Sequence, residues 1–115
     1  MRYLIAIVLL VLIDAPWLYY QMGASQKMFT SIQGGSPLKM RPWAAIPVYL
    51  ALAYILTKME SLEQAALTGV SAYAVYDFTN LLIFKDYTLA FALQDTVWGG
   101  VLFSIAYTLL HRIKP

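Results

Sequence analysis

The chain has 115 residues, of which 61% are hydrophobic and only 12% are charged. Charged residues make up about a quarter of an ordinary soluble domain, so this composition indicates a protein whose surface faces lipid. The chain has no cysteine, which excludes disulfides and thiolate metal sites. The formal net charge of +2 comes from scattered basic residues, so we expect no nucleic-acid partner, and no motif predicts a metal site or a cofactor.

Four apolar segments are each close to the ~20 residues that cross a bilayer as a helix. They predict an all-α polytopic membrane protein with four transmembrane helices in one bundle. Together they occupy most of the chain, so we expect residues 1–115 to form a single transmembrane domain surrounded by the lipid bilayer. The spans are predicted at residues 3–21, 42–57, 65–84 and 88–110.

The first span resembles a signal peptide at its start, because Arg2 precedes an apolar run. The run continues well past Asp14, which is longer than a signal-peptide core, so we interpret it as an uncleaved span. Pro16 removes a backbone donor and predicts a kink just beyond Asp14. Residues at helical spacing predict that the helix continues through 22–32, and the glycine pair that follows ends it.

The other three spans carry their own helix signals. Pro42 suits the first turn of span 2, whose apolar run has no charged residue. Span 3 contains Gly69 among other small residues, and span 4 contains Gly99-Gly100, which predicts close contact between helices. The hydrophilic pair Lys85-Asp86 predicts a tight turn between these two spans.

The distribution of basic residues does not decide the orientation in the membrane. An even number of spans places both termini on one side, and each side then carries four lysine or arginine residues. The N-terminal amine favours cytoplasmic termini, and insertion of copies in both orientations stays open. We expect a bacterial-type inner membrane, or its equivalent, as the location.

Three aspartates lie inside the predicted spans, Asp14, Asp77 and Asp95, and no span contains a lysine or arginine to neutralise them. A carboxylate in hydrocarbon is costly, so each needs a hydrogen-bonding partner, a proton or a bound cation. From a rise of ~1.5 Å per residue, all three fall in one layer roughly 3–6 Å from the bilayer midplane. We call these three residues the aspartate layer.

Each member of the aspartate layer has an indole or amide side chain three positions later, on the same helix face. A Leu-x-Asp-x-x-Trp pattern occurs in spans 1 and 4, and both indole N–H groups can donate to a carboxylate. Tyr73 lies one turn before the aspartate of span 3, with Tyr76 beside it. The candidate ion- or solute-binding residues are Asp14, Trp17, Tyr73, Asp77, Asn80, Asp95 and Trp98.

Two interpretations of the aspartate layer stay open. In the first, it binds a proton, a cation or a small solute, and transport is one function that such a site would serve. In the second, the protein is a structural or assembly subunit of a larger membrane complex, whose buried aspartate and asparagine side chains only fix helix packing. Arg41 or Lys39 reaching into the layer would favour the second interpretation.

The small size of the bundle bears on both interpretations. A lone bundle of four helices has little interior for a solute, so we expect a homo-oligomer or a partner within a membrane complex. No hydrolase, kinase or zinc-protease motif is present, so we predict no catalytic residue, and an enzyme is the least favoured class.

Two further segments carry a family resemblance. Tyr76-Asp77-Phe78-Thr79-Asn80-Leu81, followed by Asp95-Thr96-Val97-Trp98-Gly99, resembles a family of small predicted four-span membrane proteins, domain of unknown function 2177. The Asp14-Ala15-Pro16-Trp17 turn and the Pro42-Trp43 start of span 2 fit the same pattern, so the resemblance covers nearly the whole chain. It implies a four-span fold and no particular activity. It also implies that Asp14, Asp77, Asn80, Asp95 and Trp98 form one unit.

Overall fold

Four helices make up most of the chain in the computed structural model, which describes residues 2–36, 38 and 41–113. They are α1 (Arg2–Ile32), α2 (Ala45–Thr57), α3 (Leu62–Ile83) and α4 (Leu89–Arg112), and a 3₁₀ turn over Pro42–Ala44 precedes α2. No strand occurs in the described residues, so the all-α prediction is confirmed.

Two of the helices in the described part of the chain are long and apolar enough to cross a membrane. These are α1 and α4, whose most apolar stretches of 18 residues have mean hydropathies of 1.9 and 1.4. α2 is apolar but shorter, even together with its 3₁₀ turn. α3 is long enough at 22 residues, but polar side chains such as Glu63, Asp77 and Asn80 lower its hydropathy.

α1 is a single helix of 31 residues that continues through Pro16. At ~1.5 Å per residue it is about 46 Å long, which exceeds the ~30 Å hydrocarbon core of a bilayer. It ends at Gly34 and Gly35, whose φ values of 70° and 90° are unfavourable for residues with a side chain. The prediction that the helix continues beyond the first span and stops at the glycine pair is therefore confirmed.

Side-chain caps begin the last two helices. Ser61 accepts a hydrogen bond from the backbone N–H of Gln64 (3.0 Å) at the start of α3. Thr88 accepts one from the backbone N–H of Phe91 (3.2 Å) at the start of α4. The turn between them is short, so α3 and α4 form an antiparallel pair.

α4 lies at the centre of the packing. Its most extensive contact is with α3, and it also packs against α1 and, less, against α2. α3 makes little direct contact with α1 or α2, so a space remains between α3 and the α1–α2 pair. α1 and α4 run antiparallel, because Arg2 approaches His111 (3.3 Å) at one end and Met28 contacts Thr88 (3.4 Å) at the other.

Glycines allow the close contact between α3 and α4. A Cβ atom added at Gly69 would overlap the backbone carbonyl of Gly99, and one added at Gly99 would overlap Tyr73 and the carbonyl of Gly69. The predicted close approach of small residues is therefore confirmed for this pair of helices.

Two apolar clusters lie at opposite ends of the helices. The first includes Leu10 and Phe103 and lies towards the chain termini. The second includes Met28 and Ala92 and packs beside the α3–α4 turn. On α1, α3 and α4, the residues between these two clusters carry the polar side chains of the site.

Candidate solute-binding site

Two reciprocal hydrogen bonds join α1 to α4. The indole Nε1–H of Trp98 donates to Asp14 Oδ1 (2.8 Å), and that of Trp17 donates to Asp95 Oδ1 (3.1 Å). Because the two helices are antiparallel, the repeated Leu-x-Asp-x-x-Trp pattern places each tryptophan opposite the aspartate of the other helix. The two indole rings stack, with centroids 5.5 Å apart and planes 17° from parallel.

Asp14 also binds α2. The hydroxyl of Tyr49 donates to Asp14 Oδ2 at 2.5 Å, so both oxygens of this buried carboxyl group accept a hydrogen bond. Sequence reasoning did not select Tyr49. Its position near the middle of the second span, at about the depth of Asp14, is the signal that could have identified it.

Asp77 is completely buried. The hydroxyl of Tyr87, in the α3–α4 turn, donates to Asp77 Oδ1 at 2.6 Å. Asp77 Oδ2 has no donor among the described residues. The carboxyl group of Asp77 interacts electrostatically with that of Asp95. Tyr87 is a second residue that sequence reasoning missed, because it lies in the turn rather than in a span.

The remaining predicted site residues lie on α3. Tyr73 packs against Gly99 of α4 and is partly buried in the core. The side chain of Asn80 interacts with the hydroxyl groups of Tyr76 and Tyr87. Asn80 therefore supports the tyrosines around Asp77 and does not reach Asp14 or the tryptophan pair.

A cavity of about 540 Å³ fills the space between α3 and the α1–α2 pair. All four helices contribute to its wall, and α4 forms its floor. Its polar lining includes Asp14, Asp95 and Gln21, and the side-chain oxygen of Gln21 is buried without a hydrogen-bond donor among the described residues. Asp77, Asn80 and Trp98 do not line it.

Apart from Ser25, the rest of the cavity wall is apolar or aromatic. α2 contributes Val48 and Leu52, and Phe29 and Phe91 close the end nearest the α3–α4 turn. The rings of Trp17, Tyr49, Tyr73 and Tyr76 also face this space. Ligand sites typically combine such a wall with a few polar groups.

No cationic side chain neutralises the aspartate layer within the described residues. The hydrogen-bond donors to it are neutral indole and phenol groups. Arg41 is exposed and makes no ion pair with these carboxyl groups, and Lys39 lies outside the described residues. Among the described residues, no group of three or more side chains of the kind that binds metals is placed to hold a metal ion.

Comparison with known proteins gives a family and no closer relative. No curated protein and no solved structure matches the chain. The family described as predicted membrane protein, DUF2177, matches residues 1–110. The resemblance found in the sequence is thereby confirmed, and the chain belongs to the DUF2177 family of predicted membrane proteins.

Proposed function

We propose that this chain is an integral membrane protein of four spans that binds a small organic cation in the cavity beside Asp14 and Asp95. One observation carries the proposal: the cavity contains two carboxyl groups, and their hydrogen-bond donors in the described residues are all neutral. Transport of that cation across the bilayer is the use of the site that we consider first.

The charge of the occupant follows from the cost of burying a carboxylate. Asp14 is 5% exposed and Asp95 is 9% exposed, so neither is fully solvated by water. A buried carboxylate is retained when a proton, a cation or several donors stabilise it. Among the described residues, Asp14 has two donors and Asp95 has a single donor, on Oδ1. A bound cation would therefore stabilise Asp95 more than Asp14.

The apolar character of the occupant follows from the cavity wall. Aliphatic side chains of α2 and the rings of α1, α3 and α4 surround the two carboxyl groups. Aromatic faces attract cations, most strongly where water is excluded. The side-chain oxygen of Gln21, which has no donor in the described part of the chain, adds an acceptor for an N–H group. An alkylammonium ion with apolar substituents meets all three conditions.

The membrane placement of α2 and α3 rests on their outer surfaces. Val75 and Leu82 of α3 are 70% and 85% exposed, and Ile46 of α2 is 62% exposed. Apolar side chains this exposed on every helix form a continuous surface that water would solvate poorly. A lipid environment for all four helices accounts for that surface and for the family description.

Binding of dibutylammonium tests the proposal. The purified protein in lipid nanodiscs is titrated by calorimetry, with dibutyl ether as a neutral ligand of similar shape. We expect saturable binding of the cation only, weakened about tenfold or more by Asp95→Asn, which corresponds to a loss of at least ~1.4 kcal/mol. The asparagine keeps an oxygen that can accept from Trp17, so the fold is expected to persist.

Glu60→Gln is the matched control, because Glu60 is an exposed carboxylate outside the cavity. This variant should bind dibutylammonium like the unmodified protein. The proposal fails if the cation shows no saturable binding, or if Asp14→Asn and Asp95→Asn both bind it with unchanged affinity.

A structural role is the second candidate, and a different observation favours it. The hydrogen bonds of Asp14 join α1 to both α2 and α4, and that of Asp95 joins α4 to α1. In an assembly subunit these bonds would fix helix packing and present a surface to a second copy or to another membrane protein. That role predicts that Asp14→Asn and Asp95→Asn lower the stability of the protein and of its complexes, with no cation binding to lose.

A further inference from the structure

Asp77 is the one member of the aspartate layer that does not line the cavity. Its place opposite Asp95 follows from the pairing of α3 with α4. Tyr73 lies against Gly99, and the helices are antiparallel. Asp77 lies one turn after Tyr73 on α3, and Asp95 lies one turn before Gly99 on α4. These two aspartates therefore face each other. Asp77 is completely buried in this position.

The two carboxyl groups cannot both be charged at low cost. They face each other across the contact between α3 and α4, and no cationic side chain in the described residues contacts either one. Two carboxylates at short range repel, whereas a single proton between them forms a hydrogen bond. Asp77 Oδ2, which has no donor in the described residues, is the atom that such a proton would satisfy.

We propose that Asp77 and Asp95 hold one proton between them and that a cation bound in the cavity against Asp95 displaces it. The inference rests on the cation site proposed above. On binding, the O–H bond of the shared proton breaks, the proton passes to water, and the positive charge of the cation takes its place. Each cation bound then releases one proton, and the net charge of the site stays constant.

The groups around Asp77 favour a proton between Asp77 and Asp95. Tyr87 donates to Oδ1 and so stabilises a charge on that oxygen, which leaves Oδ2 for the proton. Both oxygens of Asp14 already accept hydrogen bonds, whereas Oδ2 of Asp77 accepts none from the described residues. The titratable groups that interact with Asp77 are Asp95 of α4, Tyr87 of the turn, and Tyr73 and Tyr76 of α3. Asp14 of α1 and Tyr49 of α2 lie near Tyr73.

Infrared spectroscopy tests the shared proton without any ligand. At neutral pH the protein in nanodiscs should show the C=O stretch of one protonated carboxyl group, and Asp77→Asn should lack it. The control Asp86→Asn should keep the band, because Asp86 lies in the turn, where it binds Ser31 (3.1 Å). Absence of a protonated carboxyl band at neutral pH overturns the inference.

Calorimetry tests the coupling. Dibutylammonium is titrated at pH 7 in two buffers of different ionisation enthalpy, where the amine keeps its own proton because alkylammonium groups titrate near pH 10. We expect about one proton released per cation, and an affinity that falls by up to about tenfold per pH unit on acidification. Asp77→Asn should bind the cation with proton release close to zero.

The outcomes separate the two proposals. Binding without proton release overturns the coupling and leaves the cation site intact. Absence of binding overturns the cation site and with it the displacement step, whereas the infrared band still decides whether the proton is present.

Discussion

The indole of Trp98 donates to Asp14 across the contact between α1 and α4, and Trp17 repeats the same bond to Asp95 from the opposite helix. The two bonds are related by an approximate local two-fold axis, because equal Asp-x-x-Trp segments lie on antiparallel helices. Each bond joins a buried acceptor to a donor that has a large apolar ring. The pair thereby fixes the register of α1 on α4 and holds Asp95 at the edge of the cavity.

Replacement of Trp98 by phenylalanine removes the donor and keeps an aromatic ring. Asp14 Oδ1 would then be buried without this donor, so we expect Trp98→Phe to lower the free energy of unfolding by about 1–3 kcal/mol. The measurement is denaturant unfolding in micelles, followed by circular dichroism. Trp43→Phe is the control, because Trp43 is 66% exposed, and it should change stability by less than about 0.5 kcal/mol.

A double-mutant cycle tests the bond itself. Asp14→Leu and Trp98→Phe remove its two ends, and in combination they should cost less than their separate effects by about 0.5–3 kcal/mol. Additive effects would show that the two side chains do not interact in solution.

The contact between α3 and α4 should be sensitive to one added methyl group. Gly69→Ala places a Cβ atom on the carbonyl of Gly99, so we expect a loss of about 1–3 kcal/mol from overpacking. Gly23→Ala is the matched control, because Gly23 lies in α1 with no atom near an added Cβ. It should be neutral or stabilise the helix by up to about 1 kcal/mol. Equal effects of the two substitutions on thermal unfolding would contradict this close contact.

The helices could be predicted from local signals in the sequence. Recognisable residues mark the helix ends: the glycine pair follows the end of α1 at Ile32, and Ser61 caps the start of α3. These signals depend only on neighbouring residues. The start of α3 at Leu62, three residues before the predicted 65, follows from that cap. Each aspartate shares a helix face with the residue three positions later, and this relation also depends on a single helix.

The partners across the helices could not be predicted in the same way. The sequence contains nine tyrosines, and nothing local separates Tyr87 from the rest. The depth of Tyr49 in its predicted span matches that of Asp14, but depth alone does not show which helix a side chain faces. The selection of both tyrosines depends on which helices are neighbours, which is a property of the packed structure. The cavity depends on it too, since it exists because α3 packs on α4 and not on α1 or α2.

The proposed four-span arrangement predicts where a water-soluble reagent reaches the chain. The protein has no cysteine, so single-cysteine variants can be labelled with a charged maleimide without background. Lys27 and Val75 are both exposed in the structure, and Val75 lies near the middle of α3. We expect rapid labelling of Lys27→Cys in membranes and very slow labelling of Val75→Cys, because lipid covers α3.

Denaturation in a strong ionic detergent supplies the control for this experiment. Both variants should label rapidly once the protein is unfolded in a denaturant that dissolves the membrane, since the reagent then reaches every thiol. Rapid labelling of Val75→Cys in intact membranes would mean that water covers this face of α3, and the four-span proposal would be wrong.

Tyr87 gives the protein a dependence of stability on alkaline pH. Burial, together with the neighbouring Asp77, raises the pKa of this turn tyrosine above its ordinary value near 10. The folded state therefore holds the phenol proton more tightly than the unfolded state. The contribution of Tyr87 to the free energy of unfolding is complete below about pH 10 and is lost as the pH rises further, by up to ~1.4 kcal/mol per pH unit.

Replacement of Tyr87 by phenylalanine tests this dependence, because Tyr87→Phe lacks the phenol proton. Tyr19→Phe is the control: Tyr19 is exposed, so this variant should keep the pH dependence of the unmodified protein. In unfolding titrations, the stability difference between the unmodified protein and Tyr87→Phe should narrow above pH 10, whereas a constant difference would mean that Tyr87 is not buried against Asp77.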